Sequence, residues 1–243
     1  MAKRISSLSE IILFENEHLM VVNKPPHLSS LDERSGGTYN LLGLARKYVS
    51  TAQLCHRLDK ETSGALVIAK TSETYRHISL QFQNRQVRKL YHAVVSGVLS
   101  FGNEEMEIQL PLTAIKGKAR IDKHKGKPAV TIVRPKENFR HFTLCECQPL
   151  TGRFHQIRIH LSAVKAPIVS DILYDGTLPM LSKLKRKYHH GQEKEERPIM
   201  QRVALHAHTL EFTDPEAKAI AVEAPYPDDF ATLMKLLRKY DSL

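Results

Sequence analysis

The chain has 243 residues, enough for one large domain or two small ones around a buried core. Its 42% hydrophobic and 26% charged residues form an ordinary globular composition, and its three cysteines, Cys55, Cys145 and Cys147, are too few for a disulfide scaffold. A formal net charge of +10 favours a polyanionic partner, nucleic acid among the choices, although charge alone does not separate RNA from DNA or an anionic membrane surface.

Residues 1–10 carry Lys3 and Arg4 with no apolar stretch behind them, and read as an N-terminal tail. No apolar run approaches the ~20 residues of a membrane span, so a cytoplasmic protein with no membrane partner is expected. Residues 11–14 and 19–22 read as short strands around the turn Glu15-Asn16-Glu17-His18, and Lys24-Pro25-Pro26 stops regular structure. A loop with Gly36-Gly37 leads to a helix over 39–49. Residues 64–69 form an apolar strand, and Ser72 caps a helix to about residue 84 with Tyr75, Ile78 and Phe82 at core spacing.

Residues 89–98, 104–115, 129–136 and 142–147 read as further strands. Cys145 and Cys147 share one strand face, but no second ligand pair has zinc-like spacing, so two small, partly buried residues are expected rather than a metal site. Residues 205–212 and 219–222 complete the strands. Asp228 or Asp229 caps a last amphipathic helix with the stripe Phe230, Leu233, Met234 and Leu237. Two segments are basic and poorly patterned. One is 116–127, with Lys116, Lys118, Arg120, Lys123, Lys125 and Lys127. The other is 182–197, with Lys183, Lys185, Arg186 and Lys187 beside Glu193, Glu195 and Glu196; it reads as a surface insertion near 178–200. Each is either a solvated loop or a phosphate contact. Strands outnumber helices, so the expected class is α+β around a mainly antiparallel sheet.

Three segments can carry chemistry. In His56-Arg57-Leu58-Asp59-Lys60-Glu61-Thr62-Ser63-Gly64 a polar cluster runs into an apolar strand, whose edge holds such a loop rigidly. Asp59 lies between Arg57 and Lys60. It is either a turn residue capping local backbone or a carboxylate kept ionised as a nucleophile. In Thr151-Gly152-Arg153-Phe154-His155-Gln156-Ile157-Arg158-Ile159-His160-Leu161 a helical reading puts His155 and Arg158 near one face. His155 and His160 are five apart, unlike the pair of a helical zinc site. In Lys89-Leu90-Tyr91-His92, Tyr91 fills a core edge or stacks on a base.

Together these segments resemble the RluA family of RNA pseudouridine synthases. The resemblance rests on HRLDKETSG at 56–64, KLYHAVVSG at 89–97, TGRFHQIRIHL at 151–161 and LHAHTLEF at 205–212. It is supported by ILFENEHLMVVNKP at 12–25 and APYPDDF at 224–230, and covers about residues 11 to 237. It implies one catalytic domain over 11–243: a mixed, mainly antiparallel sheet with flanking helices, in two lobes around an RNA-binding cleft.

The resemblance also implies that Asp59 attacks the target uridine, at the ribose anomeric carbon or at ring carbon 6. Tyr91 would pack on the uracil and help remove the carbon 5 proton. Arg158 would pair with Asp59, Arg57 would fill the stack vacated by a flipped uridine, and Leu205 would lie near the base. His56, Thr62, Arg153, His155 and Gln156 fall in the matched motifs and join the expected substrate- or RNA-binding set. Lys183, Lys185, Arg186 and Lys187 would track phosphates. The reaction is an isomerisation, so no cofactor and no metal are expected; the partner is RNA, ribosomal or transfer, and the state a monomer.

Two departures from the family pattern bear on specificity: Ser170-Asp171 stands where a Gly-Asp pair is usual before Tyr174, and Pro25-Pro26-His27 where Pro-x-Gly is usual. Only about ten residues precede the first strand, so site selection is expected from the catalytic domain or a partner. A non-catalytic RNA-binding or ribosome-assembly protein on the same fold is the alternative; Asp59, Tyr91 and Arg158 speak against it, because a pure binder of an anion needs no carboxylate in its cleft. A metal-dependent nuclease would need a ligand cluster that the sequence lacks.

Overall fold

The computed structural model describes residues 5–31, 39–100, 105–185, 188 and 195–243. In chain order the strands and helices are β1 (Ile12–Glu15), β2 (Leu19–Lys24), α1 (Leu41–Tyr48), β3 (Gln53–Leu54), β4 (Ser63–Ala69), α2 (Ser72–Gln83), β5 (Arg88–Ser96), β6 (Met106–Gln109), β7 (Leu112–Ile115), β8 (Lys118–Ile121), β9 (Val130–Asn138), β10 (Phe142–Pro149), α3 (Gln156–Ala163), α4 (Leu181–Leu184), β11 (Leu205–Thr213), β12 (Ala219–Glu223) and α5 (Asp228–Tyr240). The chain divides into two compact units, Met1–Tyr91 with His206–Pro225, and His92–Leu205 with Tyr226–Leu243.

In the first unit β2 pairs antiparallel with β1 and β4, β3 with β4 and β12 with β11, while β4 and β11 run parallel. Every residue of β4 is buried, so the strand reads as an unbroken apolar run rather than an alternating one. Its side chains still divide by the two-residue period. Leu66 and Ile68 join Met20, Val22 and the Leu41, Leu44 and Ala45 face of α1. Ala65 and Val67 join Leu19, Val21, Leu210, Phe212 and Ile78 of α2. One helix thus covers each face.

Local chemistry sets the helix starts. The Asn40 carboxamide accepts from the Gly43 N–H at the head of α1, two residues inside the expected start. Thr71, rather than Ser72, caps α2 by accepting from the Thr74 N–H. Two expectations need correction here. Residues 5–10 are not a tail: Ser7 and Glu10 form a capping box on a short 3-10 turn, Leu8–Ile11, and Ile5 and Leu8 are buried against α1. Tyr75 is not core: α2 buries Thr74, Ile78 and Gln81, which leaves Tyr75 37% exposed on its flank. The expected Gly36-Gly37 loop lies outside the described residues.

In the second unit β9 pairs antiparallel with β6 and β10, and Cys145 and Cys147 are buried free thiols on β10, held protonated by burial. The expected strand over 104–115 is two, β6 and β7, separated where Pro111 offers no N–H. The first half of the basic stretch 116–127 is the turn and second strand of a hairpin, and residues 122–127 are turn and loop. β7 pairs with β8 through Lys116 (φ 48°) and Gly117 (φ 77°), the two left-handed residues of a tight turn. α5 buries Phe230, Leu233, Met234 and Leu237. Asp228 and Asp229 sit in its first turn after Pro227, and Asp229 holds the buried Arg202 guanidinium by two bonds of 2.6 and 2.9 Å.

Candidate active site

The loop before β4 is fastened residue by residue. The Cys55 N–H donates to the Val67 carbonyl, and the Val67 N–H donates back to His56 Nε2 at 3.1 Å. His56 is therefore an acceptor at Nε2, with its proton on Nδ1, and its ring lies 4.6 Å from that of Phe82. Burial, and after it the Lys89 charge, push its pKa down to about 3. The neutral imidazole is an internal hook for the loop, not a cation offered to RNA.

Leu58 is buried; its N–H donates to Ser30 Oγ at 3.2 Å, and the Ser30 hydroxyl donates to the Leu58 carbonyl at 2.8 Å. The Lys24 ammonium, fully buried, donates to the carbonyls of Pro25 at 3.0 Å, Leu28 at 2.9 Å and Lys60 at 3.2 Å. Asp59 is thus held on both sides, through Leu58 and through Lys60. Lys24 and Ser30 were not singled out from the sequence; the signal was a lysine following the apolar run Met20-Val21-Val22, where its charge is tolerable only if fully bonded.

The backbone of Asp59 makes a turn, its carbonyl accepting from the N–H of buried Thr62 at 3.1 Å. Next in line, the Ser63 hydroxyl donates to Nδ1 of His206, whose Nε2–H is spent on the Ala224 carbonyl. The side chain of Asp59 is half-buried. Tyr91, on β5 of the same unit, is also half-buried. Burial, and after it the Asp59 carboxylate, push its phenol above the ordinary tyrosine range. The structure therefore brings Asp59 and Tyr91 together. Arg57 is exposed.

The second unit holds the other residues singled out. His155 takes a left-handed conformation (φ 51°) at the head of α3. Arg158 donates from Nε and Nη2 to the two carboxylate oxygens of Asp171, both at 2.7 Å, and from Nη1 to His155 Nε2 at 2.9 Å. His155 Nδ1–H then donates to the Tyr174 hydroxyl at 3.0 Å, which also accepts from the Ala119 N–H on β8 at 2.7 Å. Burial and Arg158 hold His155 neutral, its pKa pushed down to about 3. The chain Asp171–Arg158–His155–Tyr174 fixes the guanidinium plane, which lies 5.1 Å from the Tyr174 ring centre.

Gln156 corrects an expectation. Its Oε1 accepts from Thr151 Oγ1 and the Arg153 N–H, and its Nε2 donates to the Val130 carbonyl and Thr131 Oγ1. Its capacity is filled within the protein, so it braces the head of α3 rather than binding RNA. Arg153 is half-buried and donates to the Pro128 carbonyl; Leu205 is buried at the start of β11. Lys183 and Lys185 are exposed at the end of α4. Arg186 and Lys187 lie outside the described residues. Among the described residues, the group with metal-ligand proximity is Glu17, His18 and Glu216, in which Glu216 is already paired with Lys218 at 2.5 Å. No helix among them is long and apolar enough to cross a membrane.

The family profile described as RNA pseudouridylate synthase matches residues 18–163. The chain is 38% identical over 239 residues to a protein of Xanthomonas campestris pv. campestris named ribosomal large subunit pseudouridine synthase D, covering 94% of this chain and 69% of that one. It is 30% identical over 242 residues to ribosomal large subunit pseudouridine synthase C of Escherichia coli O157:H7, covering 97% and 72%. Across such relatives it spans from 61% to 72% of their length. The solved structure of human RNA pseudouridylate synthase domain containing 4 superposes with a TM-score of 0.71 at 25% identity, over 95% of this chain and 94% of that one. The mixed, mainly antiparallel sheet with flanking helices is the pseudouridine synthase fold, and the chain belongs to the RluA-type RNA pseudouridine synthases, a family of intramolecular isomerases.

Proposed function

We propose that this chain converts a particular uridine of ribosomal RNA into pseudouridine, with Asp59 as the nucleophile. The observation that carries the assignment is Asp59 in a loop pinned on either side by Ser30 and the buried Lys24, with its carboxylate near enough to the Tyr91 phenol to raise it. Ribosomal RNA is favoured over transfer RNA by the names of the relatives, which refer to the large ribosomal subunit.

In this reading the uridine leaves its stack, and Arg57, exposed two residues from Asp59, fills the gap. The Asp59 carboxylate adds to the anomeric carbon of the ribose or to carbon 6 of the ring, and the bond between N1 and the ribose breaks. The uracil turns while held, carbon 5 bonds to the ribose, the carboxylate is released, and the proton lost from carbon 5 is balanced by one gained at N1. Every atom of the uridine is kept, which is why the chemistry needs no net oxidant or reductant.

The shifted phenol of Tyr91 stays protonated at neutral pH. Its part is to pack on the uracil and to relay the carbon 5 proton, not to stand as a phenolate base. Arg158 is proposed as the cation that keeps Asp59 ionised, on the strength of the GRFHQIR motif; Asp171 and His155 fix its guanidinium in one orientation.

The test is Asp59→Asn. The variant should form no pseudouridine, assayed by tritium release from RNA carrying 5-tritiated uridine, while binding the same RNA within a fewfold of the parent. Retained turnover would end the assignment of Asp59.

A further inference from the structure

A pocket of about 330 Å³ opens on the first unit beside the loop that carries Asp59. Leu31, Leu42 and Leu54 give it apolar walls, Tyr75 stands on one side, and Arg46, Arg57, Gln53 and His56 complete the lining. Several features are costly for a core or a plain surface and make sense for a ligand. Leu31 and Tyr75 keep 40% and 37% of their surface in water. Tyr75 sits on the flank of α2 next to, but outside, the face buried by Thr74, Ile78 and Gln81. Arg46 donates from Nε to the Ala52 carbonyl at 3.4 Å, which fixes one edge of its guanidinium beside the pocket.

We propose that this pocket takes one unpaired nucleotide of the RNA substrate, next to the target uridine in the strand. An exposed aromatic ring among leucines suits the face of a base, since base–aromatic stacking is indifferent to sequence. Arg46 at the edge of the leucine wall suits a phosphate, and it agrees with the +10 charge of the chain. The volume is at the small end of ligand pockets, right for a single nucleotide and too small for a helix or a folded loop. Arg57 is shared between the pocket and the nucleophile loop, two residues from Asp59, which is why the nucleotide is assigned to the same strand near the reacting uridine. The inference rests on the synthase reading for the identity of the strand.

The experiment uses the full chain and a fluorescein-labelled uridine dodecamer, with an abasic dodecamer of the same backbone as control. Tyr75→Ala should weaken binding of the uridine dodecamer roughly tenfold and leave the abasic strand within twofold. Tyr75→Phe keeps the ring and should bind like the parent, which separates stacking from damage to the helix. Arg46→Gln should weaken both strands and lower the log–log salt slope by about 0.7. In pseudouridine formation both Tyr75→Ala and Arg46→Gln should raise KM and spare kcat.

Parent-like binding of the uridine dodecamer by Tyr75→Ala, or an equal loss on the abasic strand, would overturn the pocket. Displacement of the dodecamer by uridine monophosphate at equal concentration would overturn the RNA origin of the nucleotide in favour of a free one. Asp59→Asn separates the two claims: turnover in that variant would end the catalytic reading and leave the binding results standing.

Discussion

Asp59 shows how one residue serves two readings at once. Its main chain does what a turn aspartate does, accepting from Thr62, while its carboxylate sits close enough to Tyr91 to raise the phenol. His56, one residue before Arg57, was expected to touch RNA and instead fastens the loop to Val67 as a neutral acceptor. That role has a pH signature. The folded pKa is about 3 against an ordinary 6.5, so between these values the unfolded chain binds the proton that the folded chain refuses. The stabilisation is complete above pH 6.5 and is lost as pH falls towards 3. At 1.36 kcal/mol per pH unit, His56 should cost the fold up to about 2 kcal/mol between pH 6.5 and 5. Denaturant unfolding at these two pH values checks it: His56→Gln, whose amide oxygen can still accept from Val67, should lose less stability on acidification than the parent by about that amount. An identical pH dependence would mean that His56 titrates freely.

At the scale of elements, what the sequence made legible was what local pattern determines. The apolar run over 64–69 became the doubly buried β4, and the stripe at the C-terminus became the buried face of α5. The basic stretch 116–127 was opaque because its lysines hide the alternation of a hairpin, and its Lys116-Gly117 turn depends on two positive φ values that composition does not announce. Tyr75 shared the spacing of Ile78 and Phe82, and only packing shows that α2 turns a different face inward. The Asp171 partner of Arg158 is thirteen residues away and joined only by the fold. Gly64 is a case where motif and geometry meet. It has φ 117° and lies opposite Ala207 where β4 and β11 run parallel, so an added Cβ would collide with the Ala207 carbonyl. Gly64→Ala combines a strained backbone with a clash against main chain, and should cost about 3 kcal/mol or more. The check is the denaturant midpoint; a loss below about 1 kcal/mol would show that the strands can separate there without harm.

Across the whole molecule the excess of positive charge has to meet RNA somewhere, and the two basic segments are not equivalent. Residues 116–127 hold six lysines and arginines against one acid, Asp122, whose carboxylate is spent on the N–H groups of His124 and Lys125. The hairpin displays Lys116, Lys118 and Arg120 on exposed positions of a fixed frame, anchored where the Ala119 N–H meets the Tyr174 hydroxyl. The segment near 178–200 carries its own acids, and Glu196 already holds the Ser182 N–H within it. Phosphate contacts release counterions in proportion to the charges that make them, about 0.7 of a unit of log–log salt slope per charge on single-stranded RNA. Replacing Lys116, Lys118 and Arg120 together by glutamine should therefore lower the slope for RNA binding by about 2. Replacing Lys183 and Lys185 should lower it by less per charge removed, because neighbouring carboxylates already offset them. The measurement is the affinity for one RNA over a series of salt concentrations. A slope unchanged in the hairpin variant would return Lys116, Lys118 and Arg120 to an ordinary solvated surface, and a larger loss per charge from Lys183 and Lys185 would move the principal phosphate contact to α4.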